Sequence, residues 1–158
     1  MVNSSKNRVE KTFLDSEEDT LAFGALLSER LKNGGLVFLH GDLGAGKTTL
    51  ARGLLRSLGF EGAIRSPTYT LVERYPTKIG LVCHYDLYRM ADPEELEFLG
   101  AREDFGSGNL CLIEWPERGK GWLGNPILDI YLTFSTQPHE STKKIGRQIE
   151  LSWQNQRT

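Results

Sequence analysis

The sequence predicts an α/β fold: a mainly parallel central sheet with antiparallel hairpins added to it. Three observations carry this expectation. Leu36-Val37-Phe38-Leu39 is a short apolar run that leads into Gly41-Asp42-Leu43-Gly44-Ala45-Gly46-Lys47-Thr48, and helical periodicity follows at once. Leu110-Cys111-Leu112-Ile113 is a continuous apolar strand, of the kind found in a sheet covered on both faces. Elsewhere, strand-like runs separated by a few turn-forming residues suit hairpins.

Taken in order, residues 1–7 are polar and read as a disordered N-terminus, residues 8–153 as one domain and 154–158 as a flexible tail. Arg8 to Phe13 reads as a strand. Ser16-Glu17-Glu18-Asp19 is a capping-box pattern, so a helix should run from there to about Lys32. Phe23, Leu26, Leu27 and Leu31 form its core face, and Asn33-Gly34-Gly35 ends it. The helix after the glycine loop spans Lys47 to Leu58, with Leu50, Leu54 and Leu58 inward and Gly59 as its stop. Thr70 to Tyr75 and Leu81 to Tyr85 read as strands joined by Pro76-Thr77-Lys78-Ile79-Gly80. Asp92-Pro93-Glu94-Glu95 starts a short helix that stops near Gly100, with Asp as N-cap and Pro at the first position. Ile127 to Phe134 and Arg147 to Trp153 read as further strands, joined by a polar turn.

The glycine segment matches the P-loop pattern G-x-x-x-x-G-K-[ST] in full, and strand–loop–helix is the context that pattern requires. Its glycines let backbone N–H groups wrap round phosphate oxygens, and the following helix adds its positive end. Asp42, Leu43, Gly44, Ala45, Gly46, Lys47, Thr48 and Thr49 are therefore nucleotide-binding candidates, a fold of P-loop NTPase type. Lys47 reaches the β- and γ-phosphates, and the Thr48 hydroxyl holds Mg²⁺. The metal calls for an acid at a strand end; Glu114, directly after Ile113, fits, although acids also sit at strand ends simply because they are solvated there. Asp86 ends the run Leu81 to Tyr85 on the same sheet edge; it could position water or metal, or cap a turn. Thr68, in Ser66-Pro67-Thr68-Tyr69, could approach a γ-phosphate or belong to a surface turn. His40 and His84 read as hydrogen-bonded histidines of the core or rim. Tyr69, Tyr85, Tyr88, Trp115 and Trp122 lie close to the predicted site; packing is the default for the two tryptophans, but not all five can be core if the loops face solvent, which leaves an aromatic rim for a partner.

Bulk properties exclude several classes. One domain of 158 residues with net charge −2 has no bulk attraction to nucleic acid or anionic membrane. Cys83 and Cys111 lie inside strands without metal-ligand spacing, as expected of small buried hydrophobes in a reducing cytosol. Nor does any apolar stretch approach the ~20 residues of a spanning helix, so a soluble cytoplasmic protein is expected.

Several separated segments together resemble the TsaE family, formerly YjeE. They are His40 to Leu50, Ser66-Pro67-Thr68-Tyr69-Thr70-Leu71-Val72-Glu73, His84-Tyr85-Asp86-Leu87-Tyr88-Arg89, Asp92-Pro93-Glu94-Glu95-Leu96-Glu97 and Leu112-Ile113-Glu114-Trp115-Pro116-Glu117. The resemblance implies a slow Mg²⁺-dependent ATPase subunit of the bacterial machinery that makes threonylcarbamoyladenosine in tRNA. It implies TsaB and TsaD as partners, with tRNA met only through the complex. In this family TsaD transfers the threonylcarbamoyl group, and the ATPase resets or activates the assembly. Carried over by position, Lys47 grips phosphates, Thr48 and Glu114 serve the metal, and Asp86 and Thr68 stand near the γ-phosphate. Arg147 corresponds to a position near the nucleotide and Glu17 to one beside the base. Two other classes stay open on the residues alone: a small-molecule kinase, though no arginine-rich lid is visible, and a nucleotide-dependent binding module.

Overall fold

The computed structural model describes residues 7–155 apart from 137–144. Seven strands form one sheet: β1 (Arg8–Leu14), β2 (Gly35–His40), β3 (Val72–Thr77), β4 (Gly80–Asp86), β5 (Leu110–Glu114), β6 (Leu128–Thr136) and β7 (Ile145–Trp153). Their spatial order is β1-β7-β6-β2-β5-β4-β3. The central pairs β6·β2, β2·β5 and β5·β4 are parallel, whereas β1·β7, β7·β6 and β4·β3 are antiparallel. The expected class holds: a parallel centre with antiparallel additions at both edges.

Helices α1 (Glu17–Arg30) and α2 (Lys47–Ser57) cover one face. Leu27, Leu31, Leu50, Leu54 and Leu58 pack there against Val37, Leu39, Leu112, Ile130 and Ile149. Leu26, expected inward, is 70% exposed. Gly24 shows why: its missing side chain lets α1 meet α2 backbone to backbone, which turns Leu26 outward. Ser16 caps α1 as predicted, its Oγ accepting from Asp19 N at 3.1 Å; Asp19 Oδ2 accepts in return from Asp15 N, one residue earlier than a capping box requires.

Two short helices, α3 (Glu95–Phe98) and α4 (Ala101–Gly106), cover part of the other face. The chain turns helical at Glu95, two residues after the predicted Pro93, because Asp92 Oδ1 accepts from Glu94 N and closes a turn first. α4 carries no sequence periodicity strong enough to announce it. Instead, Arg74 grips Asp104 with Nε at 3.0 and 3.1 Å, and Tyr85 Oη also donates to that carboxylate. Pro76 lies inside β3 and not in the turn; β3 is an edge strand, where a missing N–H costs nothing. The predicted turn between β6 and β7 falls almost wholly in 137–144, outside the described residues.

The chain order reverses at β2: the path from β4 through β5 ends on one side of it and β6 lies on the other. Crevices beyond the carboxyl ends of strands at such a point are where ligands sit on open α/β sheets.

Candidate functional site

β2, β4 and β5 end together. Their parallel register sets Leu39 and Asp86 beside Glu114, so the three carboxyl ends deliver the glycine loop and two acids to one edge. A cavity of about 330 Å³ opens there. Glu17, Leu43, Gly44, Gly46, Lys47, Thr48, Thr49, Thr68, Asp86, Glu114 and Arg147 all line it. Two candidates do not. Ala45 is fully buried in the core, and its N–H is already bonded to the Asp42 carbonyl at 3.0 Å. Asp42 faces a smaller adjoining cleft with His40, Trp115 and Glu117. Ser66 lines the main cavity as well; its hydroxyl is 2.8 Å from that of Thr68.

The loop end of α2 is built to receive an anion. Gly46 is left-handed (φ +109°), a conformation glycine adopts without strain, and no side chain caps the helix. No acid stands in the first turn, so the unpaired N–H groups and the positive helix end are not neutralised from within. A Cβ on Gly46 would lie 3.1 Å from Arg147 Nε, a buried donor with no partner among the described residues. Lys47 is only 5% exposed, its Nζ held by the Gly41 carbonyl at 2.5 Å and over the Trp115 ring at 4.2 Å. Burial pushes the lysine below its ordinary value, while Glu114, Asp86, Glu117 and Asp42 pull it back.

The acids carry opposite perturbations. Burial raises the Asp86 carboxyl, with the charge of Glu114 adding to it, against hydrogen bonds from Tyr88 N (3.0 Å) and Thr68 Oγ1 (3.2 Å). Burial works on Glu114 in the same sense but loses: His84, the Lys47 charge and Thr48 together hold it below the usual carboxylate range. Its Oε1 lies 3.0 Å from His84 Nε2 and accepts from Thr48 Oγ1 at 3.4 Å. A hydroxyl and two carboxylates are oxygen donors too few to cage a cation, and no group of three or more metal-binding side chains occurs among the described residues. Thr48, Asp86 and Glu114 are oxygen donors of the kind Mg²⁺ takes beside its waters and phosphate oxygens.

Backbone strain flanks the site on both sides. Leu71, which closes the loop carrying Ser66 and Thr68, has φ +66°, and Trp115, which follows Glu114, has φ +55°. Non-glycine residues there cost on the order of 1–3 kcal/mol each and concentrate at functional segments. Among the aromatics expected at the rim, Tyr69 is 80% exposed, Tyr88 and Trp115 are half-buried, Trp122 lines a separate cavity with Leu96, Ala101 and Phe105 of the α3–α4 side, and Tyr85 is fully buried in the core. Strand alternation explains the exception, since Tyr85 points away from the face that carries His84 and Asp86. His84 is the contributor that sequence reasoning left as an ordinary histidine; its place two residues before Asp86, on the same strand face, was the available signal.

Fold and site define an α/β domain of the P-loop type. Comparison with known proteins narrows this. The family model described as threonylcarbamoyl adenosine biosynthesis protein TsaE matches residues 14–149. The tRNA threonylcarbamoyladenosine biosynthesis protein TsaE of Haemophilus influenzae is 49% identical over 123 residues, 75% of this chain and 77% of that protein. Its counterpart in Nostoc sp. is 41% identical over 136 residues, covering 83% and 82%. A solved structure described as "Crystal structure of Bacillus subtilus YdiB" superposes with TM-score 0.70 at 26% identity, covering 95% of this chain and 88% of that one. The chain belongs to the TsaE family.

Proposed function

We propose that this chain is an ATP-binding, ATP-hydrolysing subunit that works with TsaB and TsaD in the threonylcarbamoyladenosine modification of tRNA, where it resets or activates the transferase. One observation carries the reading: Lys47, Thr48, Thr68, Asp86 and Glu114 converge on a single cavity at the carboxyl ends of three parallel strands. The printed names of the relatives supply the pathway.

Bound Mg²⁺·ATP brings the phosphoryl group and the charge that draws electrons from it. The chain does the rest. The loop N–H groups and Lys47 bind the phosphates, Lys47 giving up the Gly41 carbonyl for charge-assisted bonds that are stronger. Thr48 and Glu114 would hold the metal. Asp86 orients the attacking water and takes its proton; a carboxyl raised by burial is better matched to that task than a solvated one. Thr68, already bonded to Asp86, would read the γ-phosphate through its hydroxyl. Arg147, packed against Gly46 of the loop, would set a cation near the nucleotide, and Glu17, at the start of α1 and lining the same cavity, would stand beside the base. Leu71 and Trp115, both at positive φ, flank the site, and a γ-phosphate that orders the Ser66–Tyr69 loop would couple nucleotide state to the exposed Tyr69.

A role in tRNA modification favours the cytoplasm as the working compartment. The test is phosphate release from ATP, with and without Mg²⁺ and with and without TsaB and TsaD. Metal-dependent release that rises with the partners is expected. Transfer of the phosphoryl group to a small acceptor, with no free phosphate, would make the chain a kinase instead.

A further inference from the structure

His84 is fully buried, yet only one of its two ring nitrogens has a partner. Nε2 lies 3.0 Å from Glu114 Oε1; Nδ1 is buried with none among the described residues. An unpaired buried nitrogen is a standing cost that an apolar side chain of similar size would not incur. On this face Val82 and Leu112 are core residues, while the residue directly opposite on β3 is the half-buried Glu73. What histidine adds is the single contact to Glu114.

That contact is directional. His84 and Asp86 share a face of β4, and Glu114 lies opposite Asp86 on β5, so His84 reaches Glu114 diagonally across the strand pair. Thr48 Oγ1 donates to the same oxygen at 3.4 Å. Both bonds fall on Oε1, and no bond to Oε2 forms among the described residues. The carboxylate is thus held by one oxygen, and Glu114 lines the cavity.

We propose that His84 is a positioning residue for the cation: it fixes the rotation of the Glu114 carboxylate so that Oε2 faces the metal in the nucleotide complex. The proposal rests on the reading of Glu114 as a metal-serving acid. Groups that orient a ligating side chain typically change metal affinity by about 10- to 100-fold when removed. Glutamine at position 84 restores a donor at the place of Nε2. Asparagine puts its amide at the place of Nδ1, out of reach of Glu114. Leucine removes the donor and the unpaired nitrogen together.

The experiment titrates Mn²⁺ into the full-length chain saturated with ADP and counts free Mn²⁺ by electron paramagnetic resonance, with melting curves on the same samples. His84→Gln should hold Mn²⁺ within about threefold of the unsubstituted chain, and His84→Leu about 10- to 100-fold more weakly. His84→Leu should melt lower, because the buried Glu114 carboxylate loses a donor, while its metal-free ADP affinity should be unchanged, so the Mn²⁺ affinity is the deciding readout. A merely structural role would move melting and leave Mn²⁺ affinity in place, and that result would overturn the proposal. Should His84→Leu not fold, the Gln and Asn variants decide: Mn²⁺ affinity equal in both would overturn it too. If the unsubstituted chain with ADP binds no Mn²⁺, the metal-site reading falls and the proposal with it.

Discussion

Replacing Gly53 with alanine should destabilise this fold, although helix preference points the other way. In the interior of an 11-residue helix, alanine is favoured over glycine by about 1 kcal/mol. At Gly53, however, an added Cβ would stand 2.1 Å from the Leu21 carbonyl oxygen and 2.8 Å from its carbon. These are backbone atoms of α1, and no rotamer change can move them aside. Gly24 repeats the arrangement from the other side, with Leu50 O at 2.3 Å. Relief requires α1 and α2 to part by roughly 1 Å, which loosens Leu27, Leu50 and Leu54 in the core between them. Overpacking costs about 1–3 kcal/mol, and rigid backbone on both sides puts this case at the top of that range. Set against the helix gain, the net loss is about 2 kcal/mol. For a domain this size, Tm should fall by about 4–8 °C in a melt followed by circular dichroism. Because α2 begins at the cavity, ADP affinity should fall as well. An unchanged or higher Tm would refute the close-crossing argument.

Other perturbations address the site. Lys47→Ala should weaken ATP binding by about 2–4 kcal/mol, the range for truncating a buried charged partner, and calorimetry measures it. Glu114→Gln should leave nucleotide binding largely intact and abolish most magnesium-dependent turnover, read as phosphate release across a Mg²⁺ titration; a wild-type rate would move the acid's role to Asp86. Asp86→Asn should lower turnover more than affinity, since its role is confined to the transition state. The same variant has a stability signature. Burial raises Asp86 above its ordinary value of 3.8, so the native state holds that proton more tightly than the unfolded chain does. Native Asp86 therefore disfavours folding increasingly as pH rises above 3.8, and the Asn variant should gain Tm relative to the parent at pH 7, with the gain shrinking toward pH 4.

What the sequence made legible follows how local each signal was. The P-loop, its strand and its helix are contiguous, and Glu114 and Asp86 each end an apolar strand, so backbone chemistry and alternation sufficed. The β3–β4 hairpin at one edge was readable because few residues separate its strands, whereas the pairing of β1 with β7 joins the two ends of the chain. By contrast, α4 is held by the Arg74–Asp104–Tyr85 cluster, whose members are up to 30 residues apart. Leu26 was misplaced because a glycine crossing, invisible to periodicity, sets the rotation of α1. Tyr85 was drawn toward the rim by its nearness in sequence to Asp86, when alternation alone turns it away. His84 was passed over since its partner lies on the neighbouring strand, a contact that no single-strand pattern reveals. Arg147 and Glu17 came only from the family resemblance, and both line the cavity with the glycine loop.

The most direct test is to reconstitute threonylcarbamoyladenosine formation from TsaB, TsaD, tRNA and the activated threonylcarbamoyl donor, adding either the unsubstituted chain or Glu114→Gln and measuring modified tRNA and released phosphate in the same tube. The account predicts repeated rounds of modification with the unsubstituted chain, each accompanied by ATP hydrolysis, and arrest of both with Glu114→Gln although that variant still binds nucleotide. Full, repeated modification with Glu114→Gln and no released phosphate would contradict it and leave the chain a nucleotide-dependent scaffold.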